Sequence, residues 1–302
     1  MSYIYYPGCS AKATGKPYEE SLLAVFETLG IPLDELQGWN CCGATAYMSI
    51  DETKAFALAA RNMALAEQQR PGRAKDPVDL VTPCAACWLV LYKAQRYMRE
   101  YPEVREEIND ALRAAGLTYA GRVRLRHPLD ILVNDIGLDK IRSQVKQPLE
   151  GLRVACYYGC QLVRPFAVFD RARDPITMDN LMETLGAKPV DWPLKTRCCG
   201  GSLSGTIRDV GVRLSFHLLK EAARRGSEVV ATACPLCQFN LECFQSAMGR
   251  QSGEKVEMPV AFFTQILGLA LGIPERRLGM QRLFLPLVPH QTAHTGAAHA
   301  TA

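Results

Sequence analysis

A chain of 302 residues, 48% hydrophobic and 22% charged, is long enough for two domains of about 150 residues and apolar enough to bury a core in each. The net charge of +4, without any run of lysine and arginine, gives no sign of a nucleic-acid partner. The longest apolar run, 260–273, falls short of the ~20 residues a membrane helix needs and is interrupted by Thr264 and Gln265, so no membrane span is expected.

Residues 2–8 are β-branched and aromatic and read as a buried strand ending at a Pro7-Gly8 turn that delivers Cys9. The spacing of Leu22, Leu23, Val25, Phe26 and Leu29 predicts a helix over 16–29, stopped by Gly30. A loop then carries Trp39-Asn40-Cys41-Cys42-Gly43, and Asp51-Glu52 opens a helix to about residue 69. A short strand over 79–82 runs into Cys84-Ala85-Ala86-Cys87, with helices predicted over 88–101, 103–115 and 129–136. The polar stretch 143–151 is read as a boundary, giving domains 1–147 and 148–285. The strand 152–158 repeats the opening strand and ends at Gly159-Cys160. A helix over 176–185, the loop Cys198-Cys199-Gly200-Gly201, a helix over 210–225 and a strand over 228–233 lead to Cys234-Pro235-Leu236-Cys237. Helices over 239–248 and 259–271 close the fold, and 286–302, with His290, His294 and His299, reads as a disordered tail.

Each half therefore supplies five cysteines in the order C…CC…C-x2-C. Cys160 follows Cys9 by 151 residues, Cys198 follows Cys41 by 157 and Cys234 follows Cys84 by 150, which indicates a duplication. Alternating strands and helices predict α/β halves with parallel strands and cysteine loops at the carboxyl ends. Facing across a pseudo-two-fold axis, the halves would bring both sets to a shared cleft. The N-terminus lacks the basic and apolar regions of a signal peptide, so a cytoplasmic location is expected. Thiols stay reduced there, and a cysteine framework points to metal or redox chemistry.

A structural zinc site takes four tetrahedral ligands, commonly from two C-x2-4-C pairs, whereas each half here offers one such pair, one vicinal pair and a single cysteine. Vicinal cysteines chelate one tetrahedral ion poorly and suit neighbouring irons of a cluster better, so iron–sulfur is preferred and zinc is the lesser alternative. Gly43, Gly200 and Gly201 remove bulk beside the pairs, so that backbone N–H groups can approach cluster sulfurs.

These ten cysteines in register resemble the cysteine-rich CCG domain carried twice, as in the B subunit of heterodisulfide reductase and its reductase-like relatives. The resemblance extends to about residue 285. It implies an α/β fold of two pseudo-symmetric Rossmann-like CCG domains facing across a cleft. It also implies two non-cubane [4Fe–4S] clusters, one on Cys9, Cys41, Cys42, Cys84 and Cys87, the other on Cys160, Cys198, Cys199, Cys234 and Cys237. A small or protein-bound disulfide would be cleaved between them, each cluster taking one sulfur, without a catalytic side chain. The implied partners are a ferredoxin-like subunit with cubane clusters and a flavin subunit. A longer first gap, with residues 70–76 as its insertion, and Gln161 beside Cys160 depart from the family pattern. The mild basic charge and Gln161 favour a bacterial complex, with sulfur oxidation as its expected setting. A second reading is the CCG-type electron-transfer subunit of a succinate or lactate dehydrogenase, passing electrons to quinone.

Among the remaining residues, Cys156 and Cys243 are expected as buried thiols. Tyr5, Tyr6, Tyr157 and Tyr158 suit either core or cleft, and Trp39 and Trp88 either packing or shielding of a cluster. Lys195 and Arg197 are candidates to steer an anionic substrate, 260–271 is a core helix or docking face, and His127 has no identified partner.

Overall fold

The structure, a computed structural model, describes residues 3–44, 46–70 and 77–287. The tail histidines and all of the expected insertion except Arg70 lie outside the described residues. Two four-stranded sheets form the frame. The first comprises β1 (Tyr3–Tyr5), β2 (Leu33–Glu35), β3 (Val78–Val81) and β4 (Val123–Arg126), in the order β2-β1-β3-β4. The second comprises β5 (Arg153–Tyr157), β6 (Lys188–Pro189), β7 (Val229–Thr232) and β8 (Val260–Phe262), in the order β6-β5-β7-β8. Every pairing is parallel. Parallel sheets need both faces covered, which explains the uninterrupted apolar runs of β1 and β7, buried throughout.

The last element corrects the sequence reading. Residues 259–271 are not one helix: Val260–Phe262 is β8, and the helix spans Phe263–Ala270. A strand buried on both faces has no period to tell it from helix. The other missed strands are short. β2 reads Leu-Asp-Glu, β4 alternates Val-Arg-Leu-Arg, and β6 has two residues. The helix predicted over 239–248 is two helices, Pro235–Cys243 and Gln245–Ser252, so the second C-x2-C pair sits at a helix start.

The halves interlock rather than abut. The helix Lys16–Thr28 of the first half packs on Phe263–Ala270 of the second, with Tyr18 stacked on Phe262 at 4.4 Å and Ser21 Oγ 2.6 Å from Thr264 Oγ1. The repeat places Phe169 where the first half has Tyr18, and Phe169 stacks on His127 at 6.0 Å. The chain between the halves is tied to the second by Lys146 and Gln147 N–H groups donating to the Ala270 carbonyl. The C-terminal stretch 275–287 returns to the first half, where Arg282 forks onto Glu20 with both bonds at 2.9 Å.

Candidate functional site

All four cysteine loops of the two inner strand pairs leave from carboxyl ends. Cys9 follows β1, and Cys84 follows β3 as the N-cap of the helix Ala85–Glu100. β1 and β3 are neighbours at the point where strand order reverses, the position at which open parallel sheets form their crevice. Cys160 after β5 and Cys234 after β7 repeat the arrangement. The vicinal pairs come in on the loops after β2 and β6.

Within each half the vicinal pair meets the C-x2-C pair. Cys42 Sγ lies 3.1 Å from Cys87 Sγ, and Cys199 Sγ lies 3.5 Å from Cys237 Sγ. Across the pseudo-axis the two sets come within electrostatic reach of each other, Cys234 being the first cause that lowers the Cys84 thiol. All ten cysteines are free thiols; Cys9, Cys41 and Cys198 are exposed, Cys160 is half-buried and the rest are buried. Hydrogen bonds from Cys41 and then Cys87 hold Cys42 well below the usual thiol range, and bonds from Cys234 and then Cys87 do so for Cys84. In the second half Cys160 lowers Cys198 to about 6, and Cys237 lowers Cys199. Their partners Cys41, Cys87, Cys160 and Cys237 move up, each first through its bond to the neighbouring sulfur. Metal binding to such a thiol set would release protons.

The loops are braced symmetrically by residues whose role was not legible in sequence. Tyr6 Oη donates to the Asn40 carbonyl at 2.8 Å and Tyr157 Oη to the Arg197 carbonyl at 2.6 Å, in each case the residue just before the vicinal pair. Both rings are fully buried, so these tyrosines serve core and site together. Gly8 and Gly159 both have positive φ, +69° and +68°, and a Cβ on either would press on Cys87 Sγ at 3.2 Å or Cys237 Sγ at 3.1 Å. Gly43 and Gly200 likewise have positive φ and back directly onto Ala55 and Gly211 of the following helices. The sulfurs also accept from backbone, Ala44 N–H to Cys42 at 3.4 Å and Gly200 N–H to Cys198 at 3.3 Å.

Trp39 meets Tyr6 edge-on at 5.9 Å, and Trp88 stacks on Tyr92 at 5.2 Å. Tyr5 and Tyr158 direct their hydroxyls away from the cysteines, to Glu19 and Asp179. Cys156 is buried in β5 as expected, whereas Cys243 is only half-buried because it ends its helix near the surface. Lys195 is buried and bound to Asp179 at 2.9 Å and Asp174 at 3.4 Å, which makes it a structural cation rather than a free one. Arg197 is exposed beside Cys198. His127 does have partners: Nδ1 accepts from Leu129 N–H at 3.2 Å, so Nε2 carries the proton and donates to the Pro83 carbonyl at 3.0 Å. Burial pushes it down to about 4, and it stays neutral next to the two C-x2-C loops.

A cleft of about 430 Å³ opens between the halves. Its floor carries Cys160, Cys198, Cys199, Cys234 and Cys237, and Ala85, Leu89, Val90 and Lys93 of the first half form part of its walls. Among the described residues no three His, Cys, Asp or Glu side chains are grouped to hold a single metal ion. The fit to a multi-iron group rests on donor chemistry: five sulfurs per half, and buried polar atoms beside them that make no hydrogen bond. They include the hydroxyls of Thr82 and Thr232, two residues before Cys84 and Cys234, that of Tyr18, Nε1 of Trp88 next to Cys87, and Asn240 Oδ1. The donor set suits a thiophilic cluster in kind.

Comparison with known proteins agrees with this architecture. The family model described as a cysteine-rich domain, CCG, matches residues 3–92 and 154–242. The 8-methylmenaquinol:fumarate reductase membrane anchor subunit of Wolinella succinogenes is 30% identical over 280 residues, covering 92% of this chain and 95% of that one. A protein of Archaeoglobus profundus described as like the B subunit of heterodisulfide reductase is 30% identical over 291 residues, covering 93% and 94%. The B subunit of the ferredoxin:CoB-CoM heterodisulfide reductase of Methanosarcina mazei is 30% identical over 282 residues, covering 91% of each. A hypothetical protein from Helicobacter pylori has the same fold, with a TM-score of 0.75 at 14% identity; the alignment covers 95% of this chain and 52% of that one.

Proposed function

The chain belongs to the CCG cysteine-rich domain family in tandem copy, and from that premise we propose that it is the iron–sulfur catalytic subunit of a heterodisulfide reductase-like complex. The observation that carries this reading is the placement of two five-cysteine sets at the carboxyl ends of two matching parallel sheets, with Cys42 Sγ 3.1 Å from Cys87 Sγ in one half and Cys199 Sγ 3.5 Å from Cys237 Sγ in the other. Cys9, Cys41, Cys42, Cys84 and Cys87 would hold one [4Fe–4S] cluster, and Cys160, Cys198, Cys199, Cys234 and Cys237 the other. When bound, the clusters supply one-electron redox capacity next to the substrate sulfur. The chain's own residues position and shield. Tyr6 and Tyr157 fix the vicinal pairs, His127 holds the Pro83 carbonyl without adding charge, and Leu89 and Val90 present an apolar wall to the substrate. The complex would add a ferredoxin-like subunit and a flavin subunit, and its substrate would be a thiol or disulfide, in bacteria that oxidise sulfur compounds.

The Wolinella relative favours a second reading, in which the chain passes electrons to or from quinone as the anchor subunit of a dehydrogenase or reductase. Among the described residues no helix is long and apolar enough to cross a membrane. The strongly amphipathic helix Pro102–Arg113 turns Ile108 and Leu112 into the core and Glu103, Glu106, Glu107 and Asp110 outward with Arg105 and Arg113, a net-acidic face that suits an anionic membrane poorly. One experiment separates the readings. Anaerobic protein carrying two four-iron clusters should contain about eight irons and eight sulfides, and a thiol should alter its electron paramagnetic resonance spectrum. Iron without a thiol response, together with flotation on liposomes and oxidation of a menaquinol analogue, would favour the anchor. Zinc without sulfide would exclude both.

A further inference from the structure

Away from the cysteines, the two halves differ most on one outer flank. Val123 of β4 follows Cys87 by 36 residues, whereas Val260 of β8 follows Cys237 by 23. The difference is the helix Pro102–Arg113, which packs against both Glu52–Gln69 and Ala85–Glu100. The second half keeps the counterparts of those two helices. Gly43 backs onto Ala55 and Gly200 onto Gly211, which aligns Arg208–Arg224 with Glu52–Gln69 at an offset of 156 residues. The C-x2-C offset of 150 residues aligns Pro235–Cys243 and Gln245–Ser252 with Ala85–Glu100. Among the described residues no third helix follows them before β8.

The flank left uncovered is a groove of about 470 Å³ between Arg208–Arg224 and residues 248–254, lined by the buried Phe216 and Met248. Its charge differs from that of its first-half counterpart. Ala60 and Ala64, both buried, correspond to Phe216 and Lys220, and Ala57 corresponds to Arg213. Lys220 is held by Glu254 at 2.6 Å. Arg213 and His217 are exposed, one turn apart, and among the described residues their side chains make no ion pair or hydrogen bond. The helix Pro102–Arg113 offers the complement. Arg113 pairs with Glu106 at 2.9 Å and with Asp110, while Glu103 and Glu107 are exposed and their side chains make no such bond among the described residues. Glu103 and Glu107 are also four residues apart. Each pair therefore spans about 6 Å along its helix axis.

We propose that the groove is a self-association site, in which the outward face of Pro102–Arg113 from a second copy docks so that Glu103 and Glu107 meet Arg213 and His217. Opposite charges at equal spacing set the register. Tyr101, 45% exposed at the start of the acidic helix, supplies the aromatic part of the contact. Acidic helix and basic groove lie on different halves. A two-fold pair makes the contact twice, and any other geometry extends it from copy to copy. The cysteines take no part.

The test is the oligomeric state of the anaerobic full-length chain, followed by sedimentation velocity across concentration and salt. The wild type should associate as concentration rises at low salt and dissociate at high salt, because the paired charges are exposed. Arg213→Glu and Glu107→Arg each set like charges across the contact, and each should weaken self-association by about tenfold or more. An equimolar mixture of the two variants should associate again: the intact groove of one takes the intact helix of the other, and the two altered faces are again opposite in charge. Both side chains are exposed, so circular dichroism of each variant should match the wild type. Variants that associate as the wild type does, a mixture that stays monomeric, or association indifferent to salt would each overturn the proposal. A wild type monomeric at every concentration would overturn it too, and would leave the groove to an acidic helix of another protein.

Discussion

His127 stands in the first half where the second half carries Phe262: it follows Arg126, whose carbonyl accepts from Thr82 N–H, while Phe262 pairs with Thr232. Replacing a phenyl ring by an imidazole in a fully buried position ties stability to pH. Burial lowers His127 from 6.5 to about 4, so the folded state holds fewer protons than the unfolded one in that window. Its contribution is present above pH 6.5 and lost as pH falls toward 4, a loss of about 3 kcal/mol. Glu242 acts in the opposite sense. Burial raises it from 4.5 to about 7, against the lowering effect of the bonds it accepts from Phe284 N–H and Gln238. Its contribution is present below 4.5 and lost as pH rises to about 7. Between pH 4.5 and 6.5 the two slopes oppose, and the wild type should be nearly flat. Denaturant titrations across this range should find that His127→Phe leaves a stability falling with pH, and Glu242→Gln one that rises. Parallel curves for wild type and both variants would refute the assignment of these two groups. Neither effect was legible in sequence, because His127 and Glu242 acquire their environments from segments far away in the chain.

At the level of elements, what could be read in advance was whatever carried local punctuation. Gly30, Gly186 and the Pro7-Gly8 turn mark ends that the structure keeps, and the cysteine loops fall at carboxyl ends of parallel strands as alternation predicts. What escaped was set by tertiary packing: β8 hidden in an apolar run, and β4 formed by Val123–Arg126 only because β3 lies beside it. The site shows the same split. The ten cysteines were visible as a pattern, but the braces Tyr6 and Tyr157, the tight glycines Gly8 and Gly159, and Asn240 depend on partners that spacing does not reveal. Gly268 illustrates the point within a helix. By propensity alone Gly268→Ala should stabilise by about 1 kcal/mol. A Cβ there would run into Leu278, which is fully buried where the C-terminal stretch crosses the helix Phe263–Ala270. The expected result is a destabilisation of about 1–3 kcal/mol, the usual cost of overpacking, partly relieved by adding Leu278→Ala. A stabilised Gly268→Ala protein, measured by thermal or denaturant unfolding, would mean that the C-terminal stretch is not seated on this helix.

For the molecule as a whole, duplication has produced two similar sheets but not two independent folding units. Each half covers its neighbour: Lys16–Thr28 packs on Phe263–Ala270, and Leu138–Gln144 packs on Thr177–Thr184. Buried residues of both halves form one continuous core that includes Tyr18 and Ile141 of the first half and Phe262 and Met178 of the second. A half on its own would expose these faces, and Tyr18 stacked on Phe262 would lose about 0.5–1.5 kcal/mol beyond its area burial. The ties made by Arg282 to Glu20 and by Lys146 to Ala270 would go with it. Cooperative unfolding follows, because neither sheet can open without stripping a helix from the other. Calorimetry of the anaerobic protein should therefore give one transition. Fragments 1–147 and 148–302, expressed apart, should lack cooperative melting and recover it when mixed. Two separate transitions in the intact chain, or a fragment that melts sharply alone, would show that the halves are autonomous. The cysteine sets would then be brought together only by docking, whereas a single transition means that their relative placement is built into the folding unit itself.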